Sequence, residues 1–229
     1  MQTKKVFHRE TAYLLGILIL AFSTALMARA DFGISMIVAP AYLLHLKLSQ
    51  YFSFFTFGMA EYVFQAVVLL ILTLVMRRFK LTYLFSFVTA VFYGFTLDLC
   101  IYLVGLFPSD AMAWRLVFYV FGVLLGSLGV AFLFRTYFPP EAYELFVKEV
   151  SGKLNKRIDR VKTVYDCTSC LIGIALSFVF FGFGHFEGIK LGTVLCAAVN
   201  GFLIGRISRS FDKHLTFCDA LPLRSFFER

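Results

Sequence analysis

Apolar residues run along this chain in blocks of about 20, the length an α-helix needs to cross the hydrocarbon core of a bilayer. Six such blocks stand out: Thr11 to Ala28, Phe54 to Met76, Leu81 to Leu106, Trp114 to Phe134, Val164 to Phe183 and Ile189 to Ile207. The first opens after Lys4, Lys5 and Arg9 and closes at Arg29; the second stops at Arg77-Arg78, the third at Pro108-Ser109-Asp110, and the fourth at Arg135. The pattern predicts an all-α polytopic bundle of about six transmembrane helices. Phe32 to Leu46 is also apolar but contains Pro40 and is too short to cross comfortably. It is expected to be a re-entrant or interfacial segment, since irregular backbone at membrane depth must be shielded by protein or water. If it did cross, the count would be seven. From Pro139 to Lys162 the chain turns polar, with Glu141, Glu144, Lys148, Lys153 and Lys156 alternating with Leu145, Phe146, Val147, Val150 and Leu154. That stretch predicts an amphipathic helix on the cytoplasmic membrane surface, started by the prolines, or equally a solvated linker helix.

The placement of charge supports six spans. With the N-terminus inside, the cytoplasmic stretches hold Lys4, Lys5 and Arg9, then Arg77, Arg78 and Lys80, then the series from Arg135 to Lys162, then Arg206, Arg209, Lys213, Arg224 and Arg229. The opposite side keeps Arg29, Lys47, Arg115 and Lys190. This is the positive-inside bias, and a seventh span would break it downstream. Composition agrees: 60% of the 229 residues are hydrophobic and 16% charged, too few charges to cover a soluble domain. The net charge of +8 sits at helix ends among 30 Phe residues, which argues for anchoring in a lipid bilayer and against nucleic acid. Ala28-Arg29-Ala30 imitates a signal-peptide cleavage site, but the preceding apolar run is longer than a signal needs. The five cysteines form no framework, and Cys167 and Cys170, one helical turn apart, are expected to be small apolar thiols rather than a metal or redox pair.

The chain also resembles itself. Shifted by about 106 positions, Tyr13, Gly16, Ala25, Arg29 and Lys47-Leu48 fall on Tyr119, Gly122, Ala131, Arg135 and Lys153-Leu154. A three-span unit that is repeated must enter the membrane from the opposite side, so the halves, about 9–106 and 114–209, are expected to be inverted repeats. Together they form a single membrane domain, followed by a cytoplasmic tail at 210–229. Ionisable groups inside spans are costly and need a reason. Glu61, with Gln65 one turn on, Asp98, Asn200 and an inner-side pair of Asp166 with Arg206 are the candidate site for a small solute, a proton or another cation. The bland reading pairs the acids with Arg29, Arg115 or other polar side chains as interhelical glue. Gly122 and Gly126, and Ala197, Gly201 and Gly205, recur every fourth residue and predict close helix packing. No nucleotide loop, nucleophile elbow or zinc motif occurs. No nucleotide-driven or familiar hydrolytic enzyme is therefore expected, an intramembrane enzyme with dispersed carboxylates and histidines stays an open alternative, and no cofactor or metal is expected.

Several short motifs are shared with a known group. Ala30-Asp31-Phe32-Gly33-Ile34-Ser35 followed by Ala39-Pro40 resembles that group's stretch after the first span, with Met36 where proline is usual. Gly94-Phe95-Thr96-Leu97-Asp98, Lys162 to Asp166, Leu191-Gly192-Thr193 and Asn200-Gly201 resemble its other motifs. The group is the YczE/YyaS/YitT-like bacterial membrane proteins. The resemblance implies a bacterial cytoplasmic membrane and a bundle of two related halves, and it supplies no substrate. The expected function is a secondary transporter or permease for a small solute, possible as a homo-oligomer. The alternative is a non-transporting accessory protein that holds a partner or anionic lipid headgroups through the basic loop from Lys153 to Arg160.

Overall fold

The computed structural model describes residues 5–107, 111–182 and 189–227. Lys4, Pro108-Ser109-Asp110, Phe183, His185 and Arg229 lie outside the described residues. Eight helices carry the fold: α1 (Arg9–Ala30), α2 (Ala39–Leu48), α3 (Phe57–Met76), α4 (Thr82–Gly105), α5 (Met112–Leu133), α6 (Ala142–Leu154), α7 (Ile158–Phe181) and α8 (Leu191–His214). All but α2 and α6 are long and apolar enough to cross a membrane, and no more than 50% of any of their apolar stretches is buried. Leu70, Leu74, Phe92, Phe95, Phe121 and Val179 point outward from them. A single chain in water would not leave so much apolar surface uncovered; a bilayer covers it. The molecule is a multi-pass helical membrane protein by this measure.

The element order long, short, long, long occurs twice, as α1–α4 and as α5–α8. The packing repeats with it. Contacts of α1 with α4 recur as α5 with α8, those of α3 with α4 as α7 with α8, and those of α2 with α3 as α6 with α7. The short helices also cross over, α2 onto α7 and α6 onto α3. The two halves meet along α1 and α5, which run antiparallel: Gly16 lies against Leu133 and Gly129, Ser23 against Gly122 and Gly126, and Arg115 bonds the Ala30 carbonyl at 2.9 Å. Only glycine allows that approach, since a Cβ on Gly122 would lie 2.6 Å from Met27 and one on Gly126 2.7 Å from Ser23. In the vacated space the Ser23 hydroxyl donates to the Gly122 carbonyl at 2.7 Å. Gly201 is pressed against Thr163 of α7, whereas Gly205 keeps an ordinary distance of 3.7 Å from Asp159; Ala197 is buried against Cys170 and Cys196.

Both short helices begin in the middle of the bundle and run outward. The chain after α1 turns inward at Asp31, whose left-handed backbone ends the helix. It reaches the interior at Ala39-Pro40, opposite Gly173 in the second half of α7. From there α2 climbs until Lys47 stands over the Phe181 ring at the end of α7. The segment expected at Phe32 to Leu46 is therefore a re-entrant one, with proline in its first turn.

The polar helix expected at Pro139 to Lys162 forms as α6, but it lies inside the bundle rather than on the membrane surface. Thr136 to Glu141 descend into the core, where Ser86 and Thr89 of α4 donate to the Pro140 and Pro139 carbonyls at 2.5 and 2.9 Å. Ala142, Tyr143, Glu144 and Val147 are buried against α3, α4 and α7. The helix then returns to the level of Val75, whose carbonyl accepts from Lys153 at 2.7 Å. An alternation of charged and apolar residues fits a surface helix and a buried polar one equally well, and the carboxylates of α6 have partners inside.

Residues 210–227 of the expected tail are packed on the bundle. Helix α8 continues to His214, and β2 (Leu215–Cys218) pairs in parallel with β1 (Lys5–His8). Glu10 then accepts the backbone N–H groups of Ala220 and Leu221 and the Tyr137 hydroxyl. Both described ends of the chain thus lie at one end of the bundle, with α9 (Arg224–Phe227) closing that end.

Candidate functional site

Where the two short helices start, the bundle buries an unusual amount of charge. Glu61 and Gln65 lie one turn apart on α3, and Lys162 and Asp166 one turn apart on α7; all four are 0% exposed. Between them comes the start of α6, with Glu141 at its N-cap and Tyr143 and Glu144 in its first turn, each 1% exposed. Asn200 of α8 and Ser127 of α5 close the far side.

The contacts form one connected network. The Gln65 amide nitrogen donates to Glu61 at 3.2 Å and to Glu141 at 3.5 Å, while its oxygen accepts the Ala142 N–H at 3.0 Å. Gln65 thus caps the buried start of α6, satisfying a backbone donor that helix geometry leaves free. The Tyr143 hydroxyl donates to Glu61 at 3.0 Å. The Lys162 ammonium is ion-paired with Asp166 at 2.9 Å and with Glu144 at 3.5 Å. Asn200 donates to the other Asp166 oxygen at 3.2 Å and accepts from Ser127 at 2.9 Å. Beside the network, lined by Ser23, Thr24, Tyr93, Glu141, Lys162 and Asn200 among others, is a narrow cavity of about 20 Å³, enough for a water molecule.

Electrostatics makes this arrangement consequential. Four carboxyl groups share one ammonium in a space closed to solvent, and Glu61 Oε1, Glu141 Oε1 and Glu144 Oε2 accept no hydrogen bond among the described residues. A buried carboxylate with no counter-charge costs several kcal/mol, so such groups take up protons instead. Outside the six long helices, burial pushes Glu141 well above the ordinary carboxyl range, helped by the neighbouring Glu144 and Glu61 charges. Burial also raises Glu144, with Lys162 pulling the other way. Among the described residues, no group of three or more His, Cys, Asp or Glu side chains is disposed to hold a metal ion.

Of the residues singled out from sequence, Glu61, Gln65, Asp166 and Asn200 come together here. Asp98 does not. It lies nearer the opposite end of the bundle, where it accepts the Gly58 N–H at 3.0 Å and so caps the first turn of α3. Nor does Arg206 pair with Asp166; it is exposed on α8, and Lys162 and Asn200 hold the aspartate. Arg29 and Arg115 also stay clear of the cluster, bonding the Phe107 carbonyl and Asp31. Sequence reasoning missed Glu141, Tyr143, Glu144 and Lys162 as site residues because charges in a polar stretch look solvated. A signal was present: Ala41-Tyr42 at the start of α2 recurs as Ala142-Tyr143 at the start of α6.

A two-fold patterned bundle of six apolar crossings and two re-entrant helices, with charge buried where the short helices start, defines a polytopic membrane protein with a central polar site. Residues 7–209 match the model of the family of unknown function DUF6198, and the chain belongs to that family. No curated protein and no solved structure matches it.

Proposed function

We propose that this protein is a secondary transporter for a small solute, that its halves work as inverted repeats, and that the central cluster exchanges protons as the solute moves. The observation that carries the reading is the shared ammonium: one lysine for four buried carboxyl groups at the point where two re-entrant helices start. A site that must hold protons when closed can release them when water reaches it, which is the coupling an alternating-access carrier requires. Repeated element order, antiparallel α1 and α5, and crosswise packing of α2 and α6 support two halves that rock about the buried site. The short motifs that resemble those of YczE/YyaS/YitT-like proteins and the basic bias of one end support a bacterial inner membrane with both termini cytoplasmic. The accessory reading is less favoured, because the start of α6 is buried in the bundle and Lys162 of the basic series is ion-paired inside it.

The test uses purified protein in liposomes with a pH-sensitive dye trapped inside, challenged in turn with a panel of organic anions, cations, amino acids and sugars. Wild type is expected to move protons with one class, and Glu61→Gln and Glu144→Gln to lose that response while remaining monodisperse. Infrared difference spectra of the same proteins locate the protons directly, because a protonated buried carboxyl has its own carbonyl band. Unchanged spectra in Glu61→Gln, Glu141→Gln and Glu144→Gln would remove the proton-carrying role.

A further inference from the structure

We infer that the groove between α3, α6 and α7 is a binding site for one acidic phospholipid. The groove encloses about 960 Å³ and is separate from the central cavity. Its walls are apolar: Val67 and Ile71 of α3, Phe146 and Val150 of α6, and Val164 and Ile172 of α7. Pro40, in the first turn of α2, lines it at the inner end, and Lys156, Arg157 and Arg160 rim it at the start of α7.

Two features select the occupant. The first is depth. From Arg160 to Ile172 the α7 wall rises about 18 Å at 1.5 Å per residue, close to the roughly 15 Å hydrocarbon depth of a single leaflet. An acyl chain entering at the rim therefore fills the groove and stops near Pro40. The second is charge. The rim holds three exposed cations against one carboxylate, Asp159, which pairs with Arg157 at 2.7 Å. Lys156 and Arg160 have no ion-pair partner among the described residues. The excess lies at headgroup level, where basic residues between transmembrane helices hold anionic lipid phosphates. A zwitterionic lipid would fit the groove equally well and leave that excess uncompensated. Placing the lipid in the cytoplasmic leaflet rests on the orientation proposed above; the site itself does not, and it is independent of transport.

Native mass spectrometry of the delipidated full-length protein tests this, with equal amounts of phosphatidylglycerol and phosphatidylcholine added in detergent. Wild type is expected to retain one phosphatidylglycerol in preference to phosphatidylcholine. Replacing Lys156, Arg157 or Arg160 singly with Gln should lower that preference about fivefold, and replacing all three should lower it about a hundredfold. Lys213→Gln, an exposed cation on α8, should leave it unchanged. Val164→Trp, which fills the groove, should reduce retention of both lipids. Equal retention of the two lipids by wild type, or wild-type preference in the triple variant, overturns the proposal. So does efficient cross-linking of Val164→Cys between two copies, because the groove would then be a protein interface.

Discussion

Lys162 is the residue on which the central cluster should depend most. Its ammonium lies 2.9 Å from Asp166 and 3.5 Å from Glu144, and all three side chains are 0–1% exposed. At an effective dielectric constant of about 20 those separations correspond to attractions of about 6 and about 5 kcal/mol. Burying the three charges costs several kcal/mol each, so the network as a whole contributes far less than that sum. The asymmetry appears when one member is removed. Lys162→Met deletes the attraction and leaves the carboxyl groups buried without it, a change that typically costs about 3–5 kcal/mol. Lys162→Met/Asp166→Asn removes a positive and a negative charge together, so most of the loss should be recovered, giving a coupling between the two sites of about 1–3 kcal/mol. Thermal unfolding in detergent, followed by size-exclusion fluorescence, measures both. The expected order of melting temperature is wild type, then the double variant, then Lys162→Met. If Lys162→Met melts with wild type, or if the two losses simply add, the ammonium is not the counter-charge of the cluster and the reasoning fails.

Other consequences can be checked with the same protein. Burial holds Glu141 and Glu144 above the ordinary carboxyl range, so the folded state keeps protons that the unfolded chain releases. Stability from that source is complete below the unfolded carboxyl value, about 4.3, and is lost as pH rises through the folded values; melting temperature should fall with rising pH, less steeply in Glu141→Gln, and a rise refutes the assignment. Gly126→Leu should destabilise by about 1–3 kcal/mol by forcing α1 from α5, whereas Gly105→Leu, with nothing within 4 Å, should be neutral; equal melting temperatures would show that the close approach is unimportant. Single cysteines at Lys47 and Lys153, at the outer ends of α2 and α6, should react with an impermeant thiol reagent from opposite sides of the membrane in a background lacking the native cysteines. Labelling of both from one side would exclude the re-entrant arrangement.

The six crossings were legible in the sequence because hydrocarbon permits little else: a lipid-facing helix must be apolar for its whole length. The ends were less legible. Helix α7 begins at Ile158, ahead of the Val164 expected from hydropathy, because Asp159, Arg160 and Lys162 break the apolar run without breaking the helix. Helix α8 outlasts Ile207 for the same reason, carrying Arg209, Asp212 and Lys213 beyond the apolar zone. Within the site, Glu61 and Asn200 stood out because they interrupt apolar runs. Glu141, Glu144 and Lys162 did not, because charge surrounded by charge in the sequence gives no sign of being surrounded by protein in space. Asp98 shows the converse. It breaks an apolar run as Glu61 does, yet its job in the fold is to accept the Gly58 N–H.

A second internal register, read from the starts of the third helices, brings the residues of the cluster into correspondence. Helix ends give different offsets, but α3 begins at Phe57 and α7 at Ile158, a difference of 101. The same offset carries Ala41-Tyr42 onto Ala142-Tyr143, Glu61 onto Lys162 and Gln65 onto Asp166. Each half therefore contributes one polar pair, spaced by a helical turn, at the fifth and ninth positions of its third helix. In one half the pair is Glu and Gln; in the other it is Lys and Asp. The short helices differ in the same sense, since at that offset Pro40 and Leu43 of α2 fall on Glu141, the N-cap of α6, and Glu144. A symmetric site would set like charges against each other across the axis, at a cost of several kcal/mol when buried. With lysine in one half where the other has an acid, that conflict is absent, and Glu141 and Glu144 stand as carboxyl groups in excess of the one ammonium. The repeated element order thus supplies two entries to the middle of the bundle, and the difference between the two halves leaves four carboxyl groups around one ammonium there.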